Sequence, residues 1–253
     1  MTRPPVDTGL YARSFVDVYD HWYADLHDLD QLVASCGTRF GARARLLELG
    51  SGTGRIAAPL AAAGHRVVAL DAALVMLHQD RSAARRVAAD MVELPLADTS
   101  MDGALIAYNT LFNLETRERQ QRCLEEVHRT LRPGGRLVLE AFIAPEDPDA
   151  GFAISIVGHH SHPDGRMAIV TRPDPDAPHL ITGAHIELRP DGSHSRPWRL
   201  AYQSPTELDA SAARAGLEPV ERFGGWAGEP FDPNGVRHVT WYRRRPDPLS
   251  TLT

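Results

Sequence analysis

The sequence has no lysine: all 27 basic residues are arginine. No folding requirement forbids an exposed lysine, so this absence reads as codon bias of the genome and excludes no function. Cysteine is nearly absent too. Cys36 and Cys123 fall in segments that read as separate helices and make no CxxC pair, which points to buried free thiols in a reduced, cytoplasmic protein. No stretch approaches the roughly 18 apolar residues of a membrane helix. The opening segment MTRPPVDTGLYARSF has no apolar core, so neither export nor membrane insertion is indicated. A cationic stripe is also missing: the net charge is -6 and the arginines are scattered, which argues against a dedicated nucleic-acid binder.

What is present suits one α/β domain with an elaboration. The 253 residues, 43% of them hydrophobic, are enough to bury a sizeable core. Residues 10–40 read as amphipathic helix, with Phe15, Val18, Tyr19, Trp22 and Tyr23 at helical spacing. Strand and helix patterns then alternate: strands at 45–49, 66–70, 87–90, 101–108 and 136–142, with helices at about 54–63, after Asp71, and at about 116–131. Short connections between them imply a parallel sheet flanked by helices. LRPGG at 131–135 reads as a helix stop and turn, and Pro59 as a small kink in the helix after the first strand.

Beyond residue 145 the texture changes to Pro, Gly, Asp and His, with β-like runs at 166–171 and 184–188 about a turn at 190–192. This reads as an antiparallel insertion over one end of the sheet. SPTELDASAARAG, 204–216, restores a helix with Ser204 as N-cap, Pro205 at N1, Glu207 closing a capping box and Gly216 beyond its end. Two final strands follow.

LELGSGTG carries the chemistry. A dinucleotide loop has its third glycine three residues after the second; here Gly50, Gly52 and Gly54 alternate, and Glu48 stands two residues before them. A carboxylate there repels a diphosphate and favours an ammonium group, while amides at a helix N-terminus suit a carboxylate. An amino-acid head meets both demands. Asp71 closes the second strand, where an acid accepts both hydroxyls of a ribose. Asp90 closes the third, placed to accept from an adenine amine with Met91 packed on the ring. The ligand so described is adenosine joined to an amino acid: S-adenosylmethionine.

ELGSGTG with Asp71 and Asp90 resembles the class I S-adenosylmethionine-dependent methyltransferases, over residues 45 to 143. The resemblance implies a Rossmann-like α/β fold. Its parts are a seven-stranded, mostly parallel sheet with helices on both faces, an antiparallel β insertion after strand 5, and an N-terminal helical cover. Residues 1–44 become that cover, 45–144 the cofactor-binding core, 145–203 the substrate-side insertion, 204–245 the closing helix and strands, and 246–253 a tail. The implied cofactor set is Tyr19, Glu48, Gly50, Ser51, Gly52, Gly54, Asp71, Ala72, Asp90, Met91, Tyr108 and Asn109, with the Tyr19 hydroxyl reaching the cofactor carboxylate. Bland alternatives stand beside several of these: core packing for Tyr19 and Tyr108, a turn for Asn109.

A general base for the acceptor, if one is used, would come from His159, His160, His162, His185 or Glu140. The histidine spacing matches no zinc pattern, so no metal is expected. The implied activity is methyl transfer to an O, N or C atom of a small molecule of bacterial specialised metabolism, antibiotics included. Neither nucleic acid nor membrane is a partner, and homodimerisation stays open. A relative that keeps the cofactor but performs cyclase or isomerase chemistry is the alternative.

Overall fold

The computed structural model describes residues 10–22, 28–144, 153–158, 166–174, 177–189 and 191–245. In chain order the first half comprises α1 (Leu10–Phe15), α2 (Tyr19–Trp22), α3 (Leu29–Phe40), β1 (Arg45–Leu49), α4 (Ala57–Ala62), β2 (Arg66–Asp71), α5 (Leu74–Leu77), β3 (Arg85–Ala88) and β4 (Met101–Ile106). A 3₁₀ turn at Thr110–Asn113 leads to α6 (Arg117–Thr130) and β5 (Leu131–Phe142). Next come β6 (Ala153–Gly158), β7 (Arg166–Asp174), β8 (Ala177–Arg189), β9 (Gly192–Ala201), α7 (Pro205–Arg214), β10 (Leu217–Phe223) and β11 (Arg237–Arg244).

Seven strands form one sheet in the order β10-β11-β5-β4-β1-β2-β3. The pairs among β1 to β5 are parallel, whereas β11 runs antiparallel to both β5 and β10. Central strands are buried on both faces, which explains their near-continuous apolar runs. Leu47, Leu49, Val68, Leu70, Ile106 and Leu139 pack under Cys123, Leu124 and Val127 of α6 and Leu208 and Ala212 of α7. Leu46, Val67, Ala69, Leu105, Val138 and Trp241 pack on the other face against Leu32 and Cys36 of α3 and Ala57 and Leu60 of α4. Each fully buried leucine contributes about 1.5–3 kcal/mol. Both cysteines are free and buried. The two-residue period of β1 puts Glu48 on the same face as Leu46, at the carboxyl end of the strand, where open α/β sheets bind ligands.

β6 to β9 form a second, antiparallel sheet. Phe15, Val18 and Trp22 bury themselves against its Met167, with Ile169 and Trp198 packed alongside. Arg196 of β9 secures this contact: its guanidinium donates to both Asp17 carboxylate oxygens at 2.7 and 2.8 Å and to the Ser14 carbonyl, and lies 5.4 Å from the Trp22 ring centroid.

Several local expectations shift. Among the described residues the stripe over 10–40 is interrupted between Phe15 and Tyr19, with further helix at Tyr19–Trp22 and Leu29–Phe40. The helix after the glycine loop begins at Ala57, so Pro59 falls in its first turn, where a missing N–H breaks no helical bond. LRPGG is a strand irregularity and not a separate turn: Met101 pairs with Leu131 and Gly103 with Arg136, so residues 132–135 bulge out at Gly134 (φ 76°). At α7, Ser204 and Glu207 form the expected capping box, with Gly216 beyond the helix at φ 83°.

Candidate functional site

The loop after β1 is shaped by contacts a larger residue would destroy. At Gly50 (φ 68°) a Cβ would stand 2.2 Å from Thr110 Cγ2, and at Gly54 (φ 82°) 2.3 Å from the carboxyl carbon of Asp80. Asp71 holds the loop from the next strand. Its Oδ2 accepts from the Gly52 amide and its Oδ1 from the Ala73 amide, both at 2.8 Å. The Gly52 amide is therefore spent within the protein, a departure from the expectation that the loop amides face a ligand. Each Asp71 oxygen keeps a lone pair for a hydroxyl.

Beside this loop lies a small cleft, walled by Glu48, Leu49, Gly50 and Ser51 on one side and by Ala107, Tyr108 and Thr110 on another. Tyr19 closes it from the N-terminal helices, and Arg55 and Ile56 complete it. Asp20, adjacent to Tyr19, accepts from the Thr53 hydroxyl, so α2 is tied to the glycine loop itself. Glu48 is 3% exposed, and its Oε2 has no hydrogen-bond partner among the described residues; nor has the buried Ser51 Oγ. Burial pushes the Glu48 carboxyl up to about 8, with Asp80 and Asp71 adding to the shift and Arg55 opposing it. Arg55 lies 4.6 Å from the Tyr108 ring centroid.

The crossover after β4 is pinned from several sides. Tyr108 and Asn109 both have left-handed backbones, φ 50° and 65°. The Tyr108 amide donates to Glu140 Oε2 at 3.0 Å and its hydroxyl to Asp28 Oδ1 at 3.0 Å. Asn109 Oδ1 accepts from the Phe142 amide at 2.7 Å, a backbone-fixing role. Arg237 of β11 bridges the two acids, pairing with Asp28 Oδ2 and, at 3.1 Å, with Glu140 Oε1. Burial raises the Glu140 pKa, against the pull of the Tyr108 amide and Arg237.

The cleft thus gathers Tyr19, Glu48, Gly50, Ser51 and Tyr108 from the expected cofactor set. Gly52 and Gly54 shape the loop, and Asp71 braces it from the end of β2. Ala72 is exposed just past β2. Asp90, two residues past β3, gives one oxygen to Arg119 at 2.6 Å and the other to the Val92 amide at 3.1 Å, while Met91 packs toward the core. Sequence reasoning missed Arg55, Thr110, Asp20, Asp28 and Arg237. Arg55 directly follows the third glycine and was the one within reach of motif spacing; the others come from distant segments.

Among the base candidates, Glu140 lies in the pinned network beside Tyr108. His185 sits between Phe15 and Trp22, ring centroids 5.0 and 5.6 Å away, and its Nδ1 accepts from the Trp198 indole at 3.1 Å. Burial, then Arg196, lowers its pKa to about 4. Its one lone pair is engaged, so at neutral pH it presents an N–H donor rather than a base. His159, His160 and His162 lie outside the described residues. Among the described residues no cluster of three or more His, Cys, Asp or Glu suits a metal ion, and no helix is long and apolar enough to cross a membrane.

Comparison with known proteins agrees with this geometry. A model of the methyltransferase domain family matches residues 47–139. The demethylmenaquinone methyltransferase of Paenarthrobacter aurescens is 38% identical over 189 residues, 70% of this chain and 68% of the relative. A cypemycin N-terminal methyltransferase from Streptomyces is 29% identical over 231 residues, 89% of this chain and 94% of the relative. The solved CcbJ methyltransferase of Streptomyces caelestis superposes with a TM-score of 0.85 at 28% identity, covering 94% of this chain and 99% of that one.

Proposed function

We propose that this chain, which belongs to the class I S-adenosylmethionine-dependent methyltransferase family, methylates an amine nitrogen of a small specialised metabolite in the cytoplasm. Methyl transfer with S-adenosylmethionine follows from the family. The acceptor class rests on one structural observation: Asp28 and Glu140, two acids paired with Arg237, stand directly behind Tyr108, which lines the cleft. With Arg55 over the Tyr108 ring the wall is close to neutral overall, and its carboxylate oxygens suit the N–H donors of an amine better than an anionic phosphate backbone. The likeness to an enzyme named for methylating the N-terminus of cypemycin supports the same choice.

The groups lining the cleft suit the amino-acid end of the cofactor. Its unpartnered Glu48 Oε2 is the acceptor an ammonium group needs, and Arg55 and the Tyr19 hydroxyl are the donors a carboxylate needs. Asp71 takes the ribose hydroxyls with its remaining lone pairs. When bound, S-adenosylmethionine supplies a methyl group already activated on a sulfonium, so the chain's contribution is chiefly positioning. Tyr108, held by its amide, its hydroxyl and Arg55, fixes the wall between cofactor and acceptor. The cover (1–44) and the insertion (145–203) shield the acceptor from water, and the core acts as a monomer or homodimer without nucleic acid.

The test is incubation with methyl-labelled S-adenosylmethionine and matched amine, hydroxyl and carbon acceptors. Label appearing in amines supports the reading. Label confined to hydroxyl or carbon acceptors overturns the amine assignment, and acceptor conversion without label overturns methyl transfer.

A further inference from the structure

We propose that cofactor binding expels a proton from Glu48: the carboxyl is protonated in the ligand-free protein and ionises when an ammonium group settles against it. The proposal rests on the cofactor reading above and adds a measurable proton to it. Its basis is an excess of buried acid around one atom. Glu48 Oε2 is buried without a hydrogen-bond partner among the described residues, and so is Oδ2 of Asp80, a residue 1% exposed whose carboxyl fills the space a Gly54 side chain would occupy.

The groups that face Glu48 come from every neighbouring element. Asp80, after α5, and Asp71, on β2, oppose its ionisation. Arg55 and the Ala57 amide, from the loop and α4, favour it. Cys36 of α3 lies close enough for Glu48 to raise its thiol pKa, and Tyr19 and Tyr108 line the same cleft. One guanidinium, itself held over the Tyr108 ring, faces three acids, of which Glu48 and Asp80 are buried. A lone carboxylate buried in such surroundings costs several kcal/mol, and retaining the proton avoids that cost. Accordingly the carboxyl titrates near 8 rather than in the usual carboxylate range.

An arriving ammonium changes the balance. Glu48 loses H⁺ to solvent, the ligand keeps its own three ammonium protons, and a charge-assisted hydrogen bond forms between them. At pH 7 about nine-tenths of Glu48 is protonated, and a free α-amino group takes up roughly a tenth to a fifth of a proton as it binds. The net release is therefore about 0.7 proton per site. Above about pH 8 the direction reverses, because Glu48 is then mostly ionised and the ligand amine must gain its proton.

Isothermal titration calorimetry with S-adenosylhomocysteine, in buffers of different ionisation enthalpy, reads this number as the slope of apparent enthalpy. We expect about 0.7 proton released at pH 7, uptake at pH 9.5, and no release with Glu48→Gln. Should that variant fail to fold, the wild-type protein with 5′-methylthioadenosine, which lacks the amino acid, is expected to bind without release. A release below about 0.2 proton with S-adenosylhomocysteine overturns the proposal, as does equal release with methylthioadenosine. Failure of S-adenosylhomocysteine to bind at all overturns the cofactor reading instead.

Discussion

Arg196 offers the sharpest test of how the site is assembled. Tyr19 and Asp20 reach the cofactor cleft from α2, yet the apolar side of α1 and α2 is buried on the second sheet, with Arg196 as its polar fastener. Arg196→Met keeps most of the aliphatic stem and removes the charge. The fork to Asp17 counts as a partly exposed pair, the two side chains being 11% and 59% exposed, and is discounted to about 1 kcal/mol. The bond to the Ser14 carbonyl adds about 1 kcal/mol and the stacking on Trp22 roughly 0.5–1. Docking of the cover is thus weakened by about 2–3 kcal/mol, a factor of about 30 to 150.

That factor is the ceiling on the loss of S-adenosylmethionine affinity, reached only if the cover docks marginally in the variant. We expect the Kd from calorimetry to rise at least about fivefold while kcat at saturating cofactor stays within about threefold, since saturating ligand restores docking. Arg196→Lys, which keeps the charge and loses the fork, falls between the two. Trypsin cleavage after Arg13 reports docking independently. Cleavage accelerated by the full factor with an unchanged Kd would refute the idea that the insertion sheet holds the cover for the cofactor.

Other consequences are equally open to measurement. Gly54→Ala forces a side chain into a left-handed backbone and onto the Asp80 carboxyl, whose Oδ1 the Ser82 amide holds in place; urea unfolding should show a loss of about 2–4 kcal/mol, and a loss below about 0.5 contradicts the packing. His238 is fully buried, and burial, then Arg222, lowers its pKa from 6.5 to about 4. Below pH 6.5 the unfolded chain binds the proton first, so this contribution is intact above pH 6.5 and is lost as pH falls toward 4. Wild type should lose roughly 2 kcal/mol more than His238→Gln between pH 7.5 and 4.5 in parallel denaturation curves. Ser204→Ala removes half of the capping box and should lower stability by about 1 kcal/mol with no change in cofactor Kd, a control for indirect effects.

The parallel core was legible because its signals are local: RLLEL and RVVAL are too apolar to be anything but strands buried on both faces, and three alternating glycines mark the loop between strand and helix. Ser204 and Glu207 announced α7 for the same reason. β9 escaped notice because GSHSRPWRLA has a polar half and no clean alternation, and its pairing with β8 is set by register rather than composition. In the site, Glu48 and Asp71 were readable as acids at strand ends. Asp28, Asp80 and Arg237 were not, since each becomes meaningful only when a distant segment is folded against it. Asn109 was legible only as a choice between pocket and turn; its amide oxygen accepts from the Phe142 amide and so fixes a backbone crossover, a contact 33 residues away in sequence.

The placement of β11 between β10 and β5 bears on how the molecule is made. Until residues 237–244 have been synthesised, β5 offers an unpaired edge along most of its length, and β10, made earlier, has nothing to pair with. The nascent chain therefore carries its completed glycine loop and β1 to β5 for as long as translation takes to cross the insertion and α7. An open apolar edge of that kind is what chaperones recognise and what aggregates when they are scarce. Expression yield, more than the stability of the finished fold, is the quantity that slow translation of the last strand would govern.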